Sequence, residues 1–444
     1  MMIRKFVSVI ALPLIFLSLS AGQSALRAQN GKELPREWID PDTGHRVIRL
    51  SDEAGSQSLY FHQNGYTADG TKLIITTPTG LSTVNLKTHA IEKVVEGRVN
   101  LIMTGRKTGH AYYVKAGTVY ALDLDTKVSR EIAKVPPRGS VATINADETL
   151  LAGTITEGNA PTGRGAQEGA QIPDTPPSEE GVQRPQRGRD SYPGKGQMME
   201  RRLAARIPMQ LFILNIKTGE VKTIHRSTDW LNHLQFSPTD PTLLMFCHEG
   251  PWHKVDRTWI IRTNGSGPIQ VHKRTINMEI AGHEFFEADG RMIWYDLQTP
   301  RSEVFWVAGY EVSTGKRIWY HLQRSEWSVH YNVSPDGRLF AGDGGGPNSV
   351  AAPENGQWIY LFRPEMVPDR TNNELANSKD LIQSGFFKAE KLVNLRKHDY
   401  SLEPNVTFTP DMKWLVFRSN MLGPTHVFAV EIERAANPSS KVNQ

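Results

Sequence analysis

Hydrophobic and polar positions along this chain alternate over short stretches and rarely keep the spacing of a helix face. Lys72-Leu-Ile-Ile-Thr76, Leu150-Leu-Ala-Gly-Thr154, Leu243-Leu-Met-Phe246, Arg291-Met-Ile-Trp-Tyr295, Leu339-Phe-Ala-Gly342 and Trp414-Leu-Val-Phe-Arg418 are apolar runs of strand length. Each follows a turn signal: Thr67-Ala68-Asp69-Gly70, Asn145-Ala146-Asp147, Ser237-Pro238-Thr239-Asp240, Glu287-Ala288-Asp289-Gly290, Ser334-Pro335-Asp336-Gly337 and Thr409-Pro410-Asp411. A second kind of turn closes later strands, as in Val84-Asn-Leu-Lys-Thr-His89, Leu122-Asp-Leu-Asp-Thr-Lys127, Leu214-Asn-Ile-Lys-Thr-Gly219 and Tyr310-Glu-Val-Ser-Thr-Gly315. Gly, Asp and Asn tolerate the positive φ that tight hairpins need.

The unit recurs every forty to fifty residues or so, the length of a four-stranded propeller blade. The pattern predicts an all-β chain: a seven-bladed β-propeller with four-stranded antiparallel blades. The blades begin near Phe61, Leu101, Val141, His233, His283, His330 and Asn405. The second lacks the turn motif and rests on strands such as Ala111-Tyr-Tyr-Val114 alone. The last unit is short. His45-Arg-Val-Ile-Arg-Leu50 is expected to supply its outer strand and close the ring, giving a propeller domain over 38–434.

Three stretches fall outside the repeat. Gly158 to Gln197 is rich in Gly, Pro, Arg, Gln and Glu and too poor in apolar residues to order itself, so it reads as a disordered insert. A short helix is expected after it, over Met198–Arg206. The tail after Ala435 also reads as disordered. At the start, Arg4 and Lys5 precede an apolar run from Phe6 to Leu19 and then small residues, the layout of a secretory signal peptide over 1–28, cleaved after Ala28. That run is too short to cross a bilayer comfortably, and no later segment is long enough, so the mature chain is expected to lack a membrane span and to be periplasmic or secreted. The lone Cys247 excludes an intrachain disulfide and leaves stability to a large core. A net charge of +4 gives no case for nucleic-acid binding.

The repeat also concentrates chemistry. Six residues before the Asp of each turn, or its equivalent Thr239, stand Gln63, Val141, His233, His283, His330 and Asn405. In a propeller the first strand of each blade lines the central channel, so these positions form a ring. Three successive blades place His there, from 14 His in the chain. His62, Asn332 and Glu403 lie close by. Convergent imidazole, carboxylate and amide groups suit a metal site or an acid–base site. Any one of these His, taken singly, reads equally as a hydrogen-bonded core residue. Phe246-Cys-His-Glu-Gly-Pro-Trp-His253 adds His248. Neighbours on a strand face opposite ways, which argues against a Cys247–His248 nucleophilic dyad. Gly344–Gly346 lacks the strand-to-helix context of a phosphate loop.

Phe246-Cys-His-Glu-Gly-Pro251 with Val255-Asp256, and Gly282-His-Glu-Phe285 a blade later, resemble the oligogalacturonate lyases of pectin degradation. Trp230-Leu-Asn-His233, Ala341-Gly-Asp-Gly344, Asp40-Pro-Asp-Thr-Gly44 with Val47-Ile-Arg-Leu50, and Phe408-Thr-Pro410 are also similar, so the resemblance spans about Trp38 to Glu431 outside the insert. It implies a seven-bladed propeller that cleaves uronate oligosaccharides by β-elimination to 4,5-unsaturated products with a divalent cation, Mn²⁺ first and Ca²⁺ second. It implies His248 as base and His283 as metal ligand. The family's remaining Gln, His and His ligands correspond here to Tyr400, Glu403 and Asn405, a departure that leaves Glu403 and Asn405 as the ligand candidates. Arg226, placed before Trp230, is expected to pair with a substrate carboxylate. His233, His330, Asn332, His62 and Trp252 are expected to contact sugar, with Phe285 and Tyr331 as further stacking surfaces. Two other classes share the repeat: a non-catalytic periplasmic propeller binding sugar or protein, and the propeller of a serine peptidase, which needs a following α/β-hydrolase domain with Gly-x-Ser-x-Gly.

Overall fold

In the computed structural model the described residues are 34–157, 195–347, 349, 355–370 and 374–435. The expected signal peptide, nearly all of the expected insert and most of the tail lie outside them. Among the described residues the chain is all-β, with one α-helix, Lys195–Ala205. That helix begins three residues before the stretch expected from sequence.

The strands form antiparallel sheets in chain order. The second sheet runs from Asn100–Thr104 to Ser129–Lys134, the third from Gly139–Ile144 to Val221–Ser227, and the fourth from Trp230–Phe236 to Ile269–Gln270; each has four strands. The fifth unit, Ile280–Phe286 to Arg317–Leu322, and the sixth, Tyr331–Val333 to Gln383–Asn394, are fused into one eight-stranded sheet. The fusion is a parallel pairing of Ile318–His321 with Gln383–Phe386. The first sheet departs from the expected four strands and has three, Lys72–Thr77, Gly80–Asn85 and Ile91–Glu96. Its innermost segment is reduced to isolated bridges, Gln57 to Thr76 and Tyr66 to Leu73. The irregular stretch between those bridges carries Tyr60, Phe61 and His62 into the middle of the molecule.

Neighbouring innermost strands adjoin in sequence: Asn100–Thr104 with Gly139–Ile144, that strand with Trp230–Phe236, and that with Ile280–Phe286. The ends of the chain meet as expected. His45–Arg49 pairs antiparallel with His426–Arg434, matching Val47 to Val430 and Ile48 to Ala429, and Glu37–Ile39 adds a further edge strand. The described residues from Arg36 onward form one unit of propeller-like character.

The turn motifs owe their recurrence to one device. The Asp carboxylate accepts the backbone N–H two residues on: Asp69 from Thr71, Asp289 from Arg291, Asp336 from Arg338 and Asp411 from Lys413. An Asp side chain thereby imitates a backbone turn. The later hairpins use the same chemistry, with Asn85, Asp123 and Asn215 each accepting two N–H groups ahead of them.

The sheet faces pack apolar layers between units. Val47, Leu415, Phe428 and Val430 are buried together where the first and last strands meet. Between the fifth and sixth units Trp294 stacks on Tyr320 and meets Phe340 edge-on, with ring centroids 5.8 and 4.9 Å apart. Burying each such side chain contributes about 1.5–3 kcal/mol.

Two outcomes follow. Val47→Asp places an unpaired charge at the closure and should lower stability by more than about 3 kcal/mol, read as a large fall in Tm by calorimetry. A change near zero would mean that closure is dispensable. The second concerns His398, which is buried with Nδ1 2.9 Å from Ser419 Oγ and Nε2 2.6 Å from the Leu402 carbonyl. Burial lowers its pKa to about 4. Its folded pKa lies below the unfolded value, so the unfolded state binds more protons between about pH 6.5 and pH 4. Stability is therefore full above that window and falls by up to about 3 kcal/mol through it as pH drops. His398→Gln should flatten this part of a stability–pH curve measured by denaturant unfolding; an unchanged slope counts against the assignment.

Candidate functional site

The innermost strands lose register at the repeat position. Pairing of Trp230–Phe236 with Leu243–Glu249 shifts between Asn232 and Gln235, and pairing of Ile280–Phe286 with Met292–Gln298 shifts between Gly282 and Phe285. His233 and His283 sit in these bulges with φ of 49° and 48°, and Asn405 has φ 54°. A bulge releases a residue from the ladder and re-aims its side chain. The left-handed backbone costs a non-glycine residue on the order of 1 kcal/mol, which the surrounding packing must offset.

What these bulges build is a cluster of rings around Tyr60 and Phe61. His330 lies 5.1 Å from Tyr60, 4.6 Å from Phe61 and 4.9 Å from His283, centroid to centroid. His233 lies 6.1 Å from Tyr60 and 6.4 Å from His62. His283 is 6.5 Å from Phe61. Four of the expected site residues, His62, His233, His283 and His330, are therefore brought together. Trp252 is half-buried against the same aromatic core. Burial drives the His62 pKa well below its usual value, with His233 and His330 pushing the same way, so that ring is neutral.

Two of the imidazoles carry a carboxylate at their backs. His283 Nδ1 is 2.8 Å from Asp296 Oδ1, and His330 Nδ1 is 2.8 Å from Asp343 Oδ2. This contact fixes the tautomer and the ring orientation, as around metal-bound histidines. Gly282 makes room for it: a methyl group there would stand 3.2 Å from Asp296 Oδ1. His330 Nε2 faces Tyr60 Oη at 3.1 Å and Glu403 Oε2 at 3.7 Å. His283, His330 and Glu403 offer two nitrogen donors and one oxygen donor of the kind a borderline divalent cation takes, so the donor types fit such an ion, although their ligand atoms do not all lie within 4.8 Å of one another.

Asn405 is corrected as a ligand. Its Oδ1 accepts the Phe61 N–H at 3.2 Å, its Nδ2 donates to the Glu403 carbonyl at 3.0 Å, and it is fully buried. It holds the central segment in place. Asn332 is corrected in the same way as a sugar contact: Nδ2 donates to the Phe61 carbonyl and Oδ1 accepts the Phe408 N–H. Tyr400, at the remaining family ligand position, is turned away and donates to the Asp343 carbonyl at 3.1 Å.

His248 lies apart from the ring cluster. Its ring stacks 5.5 Å from Trp259, near Phe246 and His225, and Nδ1 is 3.0 Å from Asp229 Oδ2. Burial lowers its pKa, and Asp229 partly opposes that. Cys247 and Glu249 point to the other face of the strand, as alternation requires: Glu249 Oε2 is 2.9 Å from His233 Nε2 and 3.8 Å from Cys247 Sγ. From that sheet it is His233, and not His248, whose ring meets the cluster. Arg226 is corrected too. It sits on the outermost strand of the third sheet, exposed, and pairs with Glu157.

Several residues at the site were missed from sequence. Arg257, buried, donates to Glu249 at 3.1 Å and to Glu284 at 3.0 Å. Burial opposes its charge, but the two carboxylates raise its pKa well above normal. His233, Cys247 and Glu249 place ligand atoms within 4.8 Å of one another, the only such group of His, Cys, Asp and Glu among the described residues. The buried Arg257 cation already occupies that charge environment, so the group reads better as an ion-pair network than as a cation site. Asp296 and Asp343 were legible in principle, since each stands 13 residues after its histidine. Tyr60 and Phe61 had no such signal.

With this geometry in hand, the chain can be compared with known proteins. A model of the oligogalacturonate lyase family, Pectate_lyase22, matches residues 203–436. The oligogalacturonate lyase of Dickeya dadantii is 26% identical over 240 residues, covering 50% of this chain and 55% of that protein. The oligogalacturonide lyase of Pectobacterium atrosepticum is 25% identical over 230 residues, with the same coverage of 50% and 55%. The match thus spans about half the length of these curated relatives. Over the whole fold, an oligogalacturonate lyase solved in complex with manganese superposes with a TM-score of 0.68 at 21% identity, covering 89% of this chain and 96% of that one. An oligogalacturonate lyase from Vibrio parahaemolyticus gives 0.69 at 21% identity, with coverage of 89% and 96%. The family match extends over more than half of the chain and takes in His233, His283, His330 and Glu403, and on that ground the chain belongs to the oligogalacturonate lyase family.

Proposed function

We propose that this protein cleaves short uronate oligosaccharides of the pectin type by β-elimination, acting in the periplasm or outside the cell on a seven-bladed propeller. The observation that carries the reading is the convergence of His62, His233, His283 and His330 on Tyr60 and Phe61 in a chain of this family. Seven blades follow if the two halves of the eight-stranded sheet are counted separately. Periplasmic or secreted placement rests on the signal-like N-terminus; among the described residues no helix is long and apolar enough to cross a membrane.

The C5 proton of a uronate is α to a carboxylate and weakly acidic. His283 through Nε2, Glu403 through its carboxylate and His330 as third donor would hold a divalent cation, Mn²⁺ before Ca²⁺ because imidazole suits the softer ion. When bound, such a cation supplies positive charge to the uronate carboxylate as enolate character develops. The base must be a neutral imidazole held by a second group. His233 is so held, with Nε2 2.9 Å from Glu249 Oε2, which Arg257 anchors; as the neutral tautomer protonated at Nε2 it would act through Nδ1. It takes the C5 proton, the freed electron pair forms the C4–C5 double bond, the C4–O bond breaks, and water protonates the leaving oxygen. His248, with its own Asp229 partner, is the alternative base, but its ring lies between His225 and Trp259. Trp252 offers an aromatic edge against which a sugar ring can pack.

His233→Ala should reduce formation of the 4,5-unsaturated product, followed by ultraviolet absorbance, by about 10²–10⁴-fold, whereas His248→Ala should keep more than roughly a tenth of parental activity. The reverse order would return the base to His248. Sugar binding by the parent without any unsaturated product, across a screen of uronate oligosaccharides with Mn²⁺ or Ca²⁺, would favour a non-catalytic binding protein.

The cation assignment has its own measurement. His283→Ala, folded by circular dichroism, should bind Mn²⁺ about tenfold or more weakly in a metal-content assay after dialysis. Equal metal in variant and parent would remove His283 from the ligand set.

A further inference from the structure

The loop from Gly250 to Asp256 joins the strands Leu243–Glu249 and Thr258–Arg262 and carries Trp252. Among the described residues its backbone makes one bond within the loop, from the Lys254 N–H to the Pro251 carbonyl at 2.8 Å. Its base is fastened by the His248 N–H on the Arg257 carbonyl at 2.9 Å and by the Trp259 indole on the Asp256 carbonyl at 2.7 Å. Gly250 lets the chain double back, since a methyl group there would stand 2.9 Å from Val255 Cγ1. That leaves the carbonyls of Trp252 and Val255 without a backbone N–H among the described residues.

One side chain from outside the loop takes both. Arg274 Nη2 donates to the Trp252 and Val255 carbonyls, its Nη1 to the Glu279 carbonyl, and its Nε to Asp256 Oδ1 at 3.1 Å. Four of its N–H donors are thus spent on protein groups. A planar guanidinium presents donors in several fixed directions, which is what acceptors on two separate segments require.

Arg274 is itself held in place. It stands in the connection from Ile269–Gln270 to Ile280–Phe286, the strand of His283. The chain after it folds around the fully buried Glu279. Glu279 Oε2 accepts the Thr275 N–H at 2.6 Å, the Thr275 hydroxyl at 2.9 Å and the Ile276 N–H at 3.0 Å, and Oε1 lies 2.6 Å from His272 Nε2. The loop of Trp252 is therefore tied, through one guanidinium, to the residue just ahead of the His283 strand.

We propose that Arg274 is a positioning residue: it fixes the loop of Trp252 against the start of the His283 strand and so sets the indole as a packing surface for a sugar ring. This rests on the reading of Trp252 as a sugar contact. The indole packs against the aromatic cluster that includes Tyr60 and Phe61, so a shift of its loop moves it relative to the imidazoles around that pair. Arg274 acts on the sugar through Trp252 and not by touching it. Lysine at this position keeps the charge, but one compact ammonium cannot serve the loop carbonyls, Asp256 and the Glu279 carbonyl together.

The test compares the parent, Arg274→Lys, Trp252→Ala, the double variant and, as a control, Arg226→Gln, each checked for fold by circular dichroism. Where the parent forms unsaturated product, KM and kcat on trigalacturonate are read; where it does not, the Kd of the same sugar by calorimetry takes the place of KM. Arg274→Lys should raise KM or Kd about five- to tenfold, with kcat within about twofold of the parent. The double variant should match Trp252→Ala, because both changes remove one contact, and Arg226→Gln should match the parent. A merely structural role would lower Tm without this non-additivity. If Arg274→Lys does not fold, Asp256→Asn weakens the same contact and should raise KM or Kd about two- to threefold. A parent that binds without turnover, with these coupled losses, would sink the lyase reading and leave the inference standing. Parental KM or Kd in the folded variant, a fall confined to kcat, losses that add in the double variant, or a parent that neither turns over nor binds the sugar would overturn it.

Discussion

The central constraint on this molecule is that a β-ladder commits each backbone group to a neighbour and each side chain to one of two faces, neither of which is the channel axis. A ring of functional groups on that axis requires strands that break their own pairing. His233 and His283 do this at equivalent bulges with left-handed backbone, and Asn405 adopts the same backbone just ahead of the short strand Thr407–Phe408. The strain is small for each residue, but it recurs at one place in successive units, and it converts a structural repeat into a chemical cluster. The irregular first unit is the complement of this arrangement. By giving up its inner strand it supplies Tyr60 and Phe61 as the hub against which the re-aimed rings pack.

The hub is itself pinned by amides. Asn405 and Asn332 both spend their side chains on the backbone of Phe61. These residues belong to the last and sixth units, so the segment is tied to sheets far from it in sequence. The polar groups of the centre therefore divide into those that hold the hub and those that face solvent. That division decides which residues are available for chemistry more directly than residue type does.

This explains how much could be read from sequence. The Asp of each turn is a local device, its carboxylate bonded two residues ahead, so the repeat, the strand order and the six-residue offset to the ring were all legible. The closure by His45–Arg49 was legible for the same reason, since an unpaired strand at one end matched a missing one at the other. Roles within the ring were less so. His248 and His233 stand on adjacent strands of one sheet, and which of them meets the cluster depends on a register shift with no sequence mark. Asn405 and Asn332 look like ligands by type, but both bond the main chain of Phe61, more than 270 positions away, which no local pattern reveals. Arg226 failed because proximity in sequence to Trp230 is not proximity in space: a hairpin turn places it on an outer edge.

The parallel pairing between Ile318–His321 and Gln383–Phe386 has a mechanical consequence. It joins by backbone hydrogen bonds the two units that carry His283 and His330. Those units are thereby one continuous hydrogen-bonded sheet. The sheet bearing His233 has no such splice to its neighbour; side-chain packing, the Arg257–Glu284 ion pair and the Gln235 bond to the Glu284 carbonyl join the two. His283 and His330 therefore belong to units joined through the backbone, whereas His233 keeps its place through side-chain contacts between sheets.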